Sequence, residues 1–530
     1  MDKIRVLIAD HLSEDGIEIL KAEPKLSVDV KTGLSPKELA EMIGPYDGLV
    51  VRSATKVTAE VIAKADHLKV IGRAGVGLDN VDADAATKRG IIVMNVPAGN
   101  TISTAEHTMS MLMALARRIP QAHAHLHAGL WERSKFVGTE LFGKTLGIVG
   151  MGKIGAEVAK RSASFGMRII AYDPFLSTER AQQLDVQMTD LPTLYKEADF
   201  ITVHTPLTNE TRHLIGAKEM AMMKKGVRLI NCARGGIIDE QALADAVTSG
   251  HVAGAAIDVF EQEPPPKDHP LLKLEQVVCV PHLGASTQEA QLNVAIEVAK
   301  QVADALLGRG IRNAVNMPSV DAKTLKILQP YILLGERLGS LASQLAGAQV
   351  AEIRVTYVGE VTAHDTSPIT LAVLKGILAP MVGENVNYVN ASLIAAERGV
   401  KVIEAKATRM DEFANLLALD VRSNGSTLAL QGTLSARREP RIVKIDRYFV
   451  EATPEGYMLI IKNQDKPGLI GALGTLLGES KINIAGMTNG RDEPGGTAIT
   501  VVNIDHHVPP KVLEQVKKLR HVLDAKLIKL

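Results

Sequence analysis

Residues 150–155, Gly150-Met151-Gly152-Lys153-Ile154-Gly155, have the spacing G-x-G-x-x-G and come directly after the apolar run TLGIV. Glycine-rich turns are common, but one that leaves a strand and opens a helix has a specific use. Gly150 permits the tight turn, Gly152 lets backbone approach a pyrophosphate, and Gly155 lets helix and strand pack closely. Phosphates then meet free N–H groups at the positive end of the helix, around Lys153 and Ile154. Asp173 ends the next apolar run, 18 residues beyond Gly155. Its carboxylate can accept hydrogen bonds from a ribose diol and would repel a 2′-phosphate, which favours NAD over NADP as cofactor.

Three further ionisable residues follow later apolar runs: Arg234 after LINCA, Glu263 after AAIDVFEQ and His282 after VVCVP. Ligands of open α/β sheets bind beyond such strand ends. Taken singly, each residue reads as a solvated loop charge or a strand terminator. Behind a nucleotide motif they form a set suited to oxidising a 2-hydroxy acid. Arg234 can hold a carboxylate in bidentate fashion, and His282 can take the hydroxyl proton. Glu263, if it meets the imidazole, favours the imidazolium and raises the histidine pKa.

These residues need a scaffold, and the rest of the sequence supplies one. The runs IRVLIAD, DGLVVRS, LKVIGRAG and IIVMNVP, then TLGIVG, MRIIAYD, DFITVHTP, RLINCAR, AAIDVF and VVCVPH, alternate with helix-like stretches. Nearly continuous apolar runs suit strands buried on both faces of parallel sheets. The spacing predicts one long helix over 101–118, capped by Ser103 or Thr104 and stopped at Ile119-Pro120. Another helix is predicted from about Ser286 to Leu307, and a boundary near Pro318. Beyond it, Asn424-Gly425 between two alternating runs signals a hairpin. From Tyr457 the order reads βαββαβ, a ferredoxin-like arrangement whose first helix carries Leu469, Leu473, Leu476 and Leu477 on one face.

The chain has 530 residues, with 60 basic and 60 acidic side chains and hence no formal net charge. That balance argues against nucleic acid as a partner and against a polybasic membrane anchor. No apolar run approaches the roughly 18–20 residues of a spanning helix. The start, MDKIRVLIAD with Asp2, is unlike a signal peptide, and two cysteines cannot form a disulfide framework. A soluble, cytoplasmic protein is expected.

GIVGMGKIG, INCARGGIIDE, DVFEQEP and PHLGAST resemble the D-isomer-specific 2-hydroxyacid dehydrogenases. Over essentially its whole length the chain resembles the long phosphoglycerate dehydrogenases of that superfamily. The resemblance implies two Rossmann-like doubly wound domains, an α+β intervening domain and a ferredoxin-like ACT domain. The implied boundaries are 1–97 (completed by 283–316) for substrate, 98–282 for NAD, 319–452 for the intervening domain and 457–530 for the ACT domain. Arg234, Glu263 and His282 are the implied catalytic set, with His204, Thr205, Pro206, Cys232, Ala233, Asp258 and Gly284 joining the cofactor site. The implied substrate is 3-phosphoglycerate, oxidised to 3-phosphooxypyruvate in the first step of the phosphorylated serine pathway. Arg52, Arg73 and Arg133 match positions associated with its anionic groups. Gly75 and Gly77 would offer backbone N–H groups, and Asn100 lies near the hinge. Asn463, Asp465, Gly468 and Asn483 match an amino-acid effector site, with L-serine as the implied effector; Asn463 stands where some relatives have an aromatic residue. A homotetramer is implied, through the 101–118 helix and paired ACT domains.

Other features read as structural. His123 and His127 are i,i+4 neighbours with His125 between them, but no third ligand is evident and no metal is expected. Cys232 has no neighbouring histidine in sequence and reads as core packing. Two rivals share the scaffold: a glyoxylate or hydroxypyruvate reductase, and a dinucleotide-sensing corepressor. The reductases of the resembled superfamily typically lack the C-terminal modules, and the ACT-like tail and the phosphate-facing arginines disfavour the corepressor.

Overall fold

A computed structural model describes residues 3–347, 349–383, 385–407, 413–423 and 425–530. Asp2 and Asn424, which figure in the sequence reading, lie outside these described residues.

The first sheet is parallel and comprises β1 (Ile4–Ile8), β2 (Leu26–Val30), β3 (Gly48–Val51), β4 (Val70–Arg73) and β5 (Ile92–Met94), in the order β2-β1-β3-β4-β5. The central run GLVV is buried throughout because both faces are covered. On one face Leu39, Val61 and Ile62 meet Leu7, Leu49 and Ile71. On the other the helix Gln288–Leu306 returns, packing Val294, Val298 and Val302 against Val6, Ile8 and Val50. That approach depends on missing side chains: a Cβ on Gly72 would stand 2.4 Å from Val302 Cγ2. β2, with sequence LSVDV, was not among the predicted runs. It is an edge strand and mixes polar with apolar residues.

The second sheet, also parallel, contains β6 (Thr145–Val149), β7 (Arg168–Tyr172), β8 (Gln187–Met188), β9 (Phe200–Val203), β10 (Val227–Asn231), β11 (Val252–Ile257) and β12 (Val277–Cys279). Its order, β12-β11-β10-β9-β6-β7-β8, reverses between β6 and β9, so a crevice opens at their C-terminal ends. The helix Thr101–Arg117 packs across it, with Ala105, Met109 and Leu112 against Leu146 and Ile148.

The start and stop of that helix differ from the sequence expectation. Its N-cap is Asn100, without a side-chain cap bond. Ser103 and Thr104 lie inside the first turn, and their hydroxyls donate to Gly284 O at 2.8 and 3.1 Å. Arg118 ends the helix in a left-handed conformation, and Ile119-Pro120 opens a second helix, Ile119–His127, instead of stopping the first. Proline is well tolerated there because the first helical turn has no intrahelical use for its N–H.

The third sheet mixes directions. It holds β13 (Val350–Val358), β14 (Lys401–Ala407), β15 (Leu416–Ser423), β16 (Ser426–Leu434), β17 (Pro440–Ile445) and β18 (Tyr448–Ala452), in the order β14-β13-β15-β16-β17-β18. Ser423 faces Ser426 at the hairpin, where Gly425 has φ +79°. The fourth sheet is antiparallel: β19 (Tyr457–Gln464), β20 (Ile484–Arg491), β21 (Thr497–Ile504) and β22 (Val522–Lys529), in the order β20-β21-β19-β22. Leu459 and Ile461 of β19 face the helices Leu469–Glu479 and Pro510–Lys517. Met458 and Ile460 face the other way, joining Leu338 and Leu341 of the helix Ala322–Ala346 and Leu430 of β16. One hydrophobic core therefore spans the third and fourth sheets. No helix among the described residues is long and apolar enough to cross a membrane.

Asparagines tie the halves of the chain together, among them Asn390, which donates to Lys88 O at 3.5 Å. Asn316 donates to Ile91 O and Thr87 Oγ1 and accepts from Val93 N–H, at 2.9–3.0 Å. Asn387 donates to Gly90 O at 2.8 Å. Substituting Asn316→Ala leaves partly buried backbone groups unpaired and should cost about 1–3 kcal/mol. A lowered midpoint in chemical denaturation of the N-terminal transition checks this; an unchanged midpoint would show the linker contact to be inert.

Candidate active site

The crevice at the β6–β9 switch is shaped by close backbone approach. Gly150 has φ +98°, and a Cβ there would lie 2.7 Å from His204 O. A Cβ on Gly155 would lie 2.1 Å from Gly150 O, which sets how near the helix Lys153–Ser164 can come to its strand. A Cβ on Gly152 would point into open space, and the helix has no side-chain cap, so its first N–H groups remain free. Asp173 stands just past β7 and accepts from Met151 N–H and Phe175 N–H, both at 2.8 Å. It thus holds the glycine loop while retaining further acceptor capacity.

Across the switch, His204 is held neutral by burial, its pKa pulled down to about 4. Its Nε2 lies 3.0 Å from Thr202 Oγ1, whereas His204 Nδ1 and Thr205 Oγ1 are buried without a partner in the chain. Pro206 O is taken by Thr211 Oγ1 at 2.6 Å. Buried polar atoms need partners, so orphaned atoms beside a free helix N-terminus fit a dinucleotide. A cleft of about 390 Å³ opens between Lys153 and residues 96–99, lined also by Asn293 and Glu297. Cys232 is buried, and burial and then the nearby Asp258 charge push its thiol far up, so it is no nucleophile. Asn231 Oδ1 accepts from Ala233 N–H at 3.0 Å, and its amide donates to Arg234 O at 2.9 Å.

Beyond β11 and β12, Glu263 Oε2 and His282 Nδ1 are 2.8 Å apart. Phe260 N–H donates to the other carboxylate oxygen at 3.1 Å. The hydrogen bond that His282 donates to Glu263 raises the His282 pKa; burial opposes it, the charges of Glu263 and Asp258 assist, and Arg234 opposes. For Glu263, burial pulls upward, but the His282 bond and charge and the Phe260 N–H hold the carboxyl below its ordinary value. Asp258 is fully buried, accepting from Leu283 N–H at 2.6 Å and Gly284 N–H at 3.0 Å, with His107 Nε2 3.3 Å away. It fixes the backbone on which His282 is carried. His107 does not stand out in sequence because its contact with Asp258 is made only in the fold, and Asn231 is hidden as the last residue of β10.

The first sheet brings cations to the same crevice. Asp10, buried just past β1, accepts from Arg52 N–H at 2.6 Å and from Thr55 N–H at 3.1 Å, shaping the Arg52 loop. Arg73 ends β4; its Nε is buried without a partner, and a Cβ on Gly75 would collide with its Nη1 at 1.8 Å. A Cβ on Gly77 would stand 2.2 Å from Arg234 Nη2, and Arg234 Nε reaches Asp79 Oδ2 at 3.4 Å. Burial, then the charge of Arg234, pulls the Arg73 pKa down to about 10, with Arg52 adding to the effect and Asp79 and Asp10 opposing it. Three guanidinium groups are therefore crowded around one opening.

Comparison with known proteins agrees with this geometry. Residues 109–284 match the D-isomer specific 2-hydroxyacid dehydrogenase NAD binding domain, 327–446 the D-3-phosphoglycerate dehydrogenase intervening domain and 457–521 the ACT domain. A D-3-phosphoglycerate dehydrogenase of Archaeoglobus fulgidus is 46% identical over 99% of this chain and all of its own length. The chain belongs to the D-3-phosphoglycerate dehydrogenase family. A Bacillus subtilis member is 44% identical over 99% of each chain. The solved D-lactate dehydrogenase of Aquifex aeolicus, complexed with NAD and lactic acid, is 30% identical with a TM-score of 0.52, over 57% of this chain and 96% of that one. The coverage difference reflects the intervening and ACT domains that mark the long D-3-phosphoglycerate dehydrogenases.

Asn100 caps the helix Thr101–Arg117 by backbone position only, and its Oδ1 is buried without a partner. Arg133 lies in the exposed turn Arg133–Phe136, and none of the hydrogen bonds or ion pairs among the described residues involves it. In the ACT domain of this family member, Asn463 is buried and its amide is engaged by Thr500 Oγ1 and Gln464 O, both at 3.0 Å. Asp465 pairs with Arg491 at 3.2 Å and Gly495 N–H at 3.0 Å, while Asn483 donates to Asp505 at 2.7 Å. Gly468, with φ +96°, precedes the helix Leu469–Glu479. Register separates these groups: Ile484 and Tyr457 both face Ile504, whereas Gln464 faces Thr497. Asn483 and Asp465 therefore stand at opposite ends of the fourth sheet.

The Glu263–His282 bond carries a measurable consequence. Because the folded-state pKa of His282 is raised, its protonated form persists above the ordinary histidine value. Glu263→Gln should lower that midpoint toward about 6.5. NMR titration of the imidazole signal checks it, and an unmoved midpoint would uncouple the two groups.

Proposed function

We propose that this protein oxidises 3-phospho-D-glycerate to 3-phosphooxypyruvate with NAD, the first step of the phosphorylated route to L-serine. The observation that carries the reading is the cluster of Arg52, Arg73 and Arg234. Like charges held together in a half-buried opening repel one another, and a polyanion relieves that cost. A substrate with a carboxylate and a phosphate matches the charge. Arg234 holds the carboxylate and lies beside the hydroxyl-bearing carbon; Arg52 and Arg73, with the backbone at Gly75 and Gly77, hold the phosphate. His282 accepts the hydroxyl proton at Nε2, the nitrogen not engaged by Glu263. Glu263 orients the ring and stabilises the imidazolium that results. When bound at Gly150–Gly155, Asp173 and the β9 end, NAD supplies the two-electron acceptor.

The domain units support closure around substrate. In this reading residues 1–97 with 283–316 rotate as one body against 98–282. The turning points are Asn100 and the Gly284 segment, and the movement excludes water from the crevice.

Assembly as a homotetramer is supported by exposed apolar surface. Trp131, Val137 and Phe142 are 76%, 78% and 77% exposed, close in sequence to a helix, Ile119–His127, with no buried residue. Such a patch suits a second copy of the chain, and Arg133 lies within that stretch. L-Serine is the proposed effector. Because Asp465 and Asn483 occupy opposite ends of one sheet, a two-fold pairing of ACT domains would bring one of each together. The cysteine content and the cofactor suit the cytoplasm.

NADH production from 3-phosphoglycerate, glycerate and 2-hydroxyglutarate, assayed in parallel, tests the activity; preference for glycerate would overturn the phosphate reading. Arg73→Ala should raise the KM for 3-phosphoglycerate at least about tenfold, the scale of one lost charge-assisted contact, and leave the KM for NAD nearly unchanged. Equal changes in both constants would remove Arg73 from the phosphate site. Titrating L-serine should lower the initial rate progressively, and a flat curve through millimolar serine would discard the effector.

A further inference from the structure

Glu240 belongs to the run INCARGGIIDE but has no role in the proton transfer described above. It is the first residue of the helix Glu240–Thr248, six positions after Arg234. Its side chain is only 15% exposed. Oε1 accepts from Glu261 N–H at 2.7 Å, and Oε2 lies 2.8 Å from His269 Nε2. The His269 ring is mostly covered and stands edge-on to Phe260, centroids 5.5 Å apart. Phe260 is the residue whose N–H binds Glu263.

The contacts close a loop. Gly235, next to Arg234, is pressed against the Phe260 carbonyl, where a Cβ would come within 2.0 Å. Cys279, three positions before His282, has its thiol pushed up to about 11 by burial and then by the charge of Glu240. One carboxylate is thus positioned among the segments that carry Arg234, Glu263 and His282. The other charged neighbours are Asp239, which caps the helix through Ala242 N–H, and Arg212 and His213, which pair with the Glu261 side chain. None of these replaces the bond to Glu261 N–H.

We propose that Glu240, locked by His269, is a positioning residue for the proton-transfer pair, holding residues 260–263 so that the Glu263 carboxylate stays on His282. The proposal rests on the reading of Glu263 and His282 as that pair. A neighbour that only stabilised the fold would affect thermal stability alone. A residue that sets the Glu263–His282 distance must also affect how the histidine titrates, because the raised pKa depends chiefly on that bond.

The test is the pH dependence of kcat/KM for 3-phosphoglycerate oxidation in the full chain, comparing wild type with Glu240→Ala, Glu240→Gln, His269→Gln and Glu263→Gln. Oxidation needs neutral His282, so the rate falls on the acid side as the ring is protonated, and a lowered pKa moves that limb to lower pH. Glu240→Ala should reduce kcat about tenfold, leave the KM for NAD unchanged and shift the acid limb in the direction of Glu263→Gln. Glu240→Gln retains an acceptor for Glu261 N–H and should restore both the rate and the limb. If Glu263→Gln shifts the limb while Glu240→Ala and His269→Gln leave it at the wild-type position, the positioning role is overturned. If Glu263→Gln itself leaves the limb in place, the underlying assignment of the pair fails instead. Should Glu240→Ala lose its thermal transition, His269→Gln decides by the same shift.

Discussion

A carboxylate and an imidazole carried by neighbouring strands are held 2.8 Å apart, and the surrounding polar contacts are arranged to keep them there. The two side chains are only half-buried, so their own attraction is weakened by water and could not fix the geometry alone. Backbone does it. Ile257 and Cys279 are paired in register, so the segments leaving β11 and β12 start side by side. His282 then adopts φ +54°, a conformation unfavourable for a side chain with a Cβ. Asp258 sustains it: its carbonyl accepts from His282 N–H, and its carboxylate from the next two N–H groups. The cost of the strained residue and of the buried carboxylate is offset by four backbone groups satisfied at one point.

The second constraint is directional. In a parallel sheet all C-terminal ends lie on one edge, so two such sheets facing across a crevice deliver loops to it from both sides. Asp10, Arg52 and Arg73 follow strands of the first sheet; Gly150, His204, Arg234 and Asp258 follow strands of the second. Burial makes the meeting of Arg73 and Arg234 costly, as the lowered Arg73 pKa shows. Asp79 screens Arg234 but is itself largely exposed. The crowded guanidinium groups make the opening strongly positive on the first-sheet side of the crevice.

Much of this could be read from the sequence because parallel strands write themselves as apolar runs. All six predicted strands of the second sheet are present, and the residues after them are the ones the eye can pick out. Edge strands such as β2 and β8 escaped because one side faces solvent and the apolar pattern fades. The break at Arg118 escaped because a left-handed residue followed by Ile-Pro reads equally well as an end or a beginning. Asp10, Asn231, His107 and Glu240 escaped for other reasons. Asp10 and Glu240 bind backbone N–H groups 21 to 45 residues away and His107 meets the distant Asp258 carboxylate, contacts no local spacing encodes, whereas Asn231 is hidden as the last residue of an apolar strand. Asn463 shows the converse: its position in the run invites a ligand, but burial has already used its amide.

The C-terminal half raises a question of mechanics. Met458 and Ile460 of the ACT sheet share a core with Leu338, Leu341 and Leu430 of the intervening domain, and Arg337 and Gln344 bond the backbone at Pro454 and Lys529. A close-packed interior of this kind repacks discretely instead of deforming smoothly. The ACT sheet and the helix Ala322–Ala346 therefore form one packed unit. Toward the first sheet, Asn387 reaches Gly90, Asn390 reaches Lys88, and the linker residue Asn316 holds Thr87, Ile91 and Val93. These residues lead into β5, the strand paired with β4, and β4 ends in Arg73. Arg73 is thereby joined to the C-terminal half through β5 and the linker, whereas the Glu263–His282 bond belongs to the other sheet.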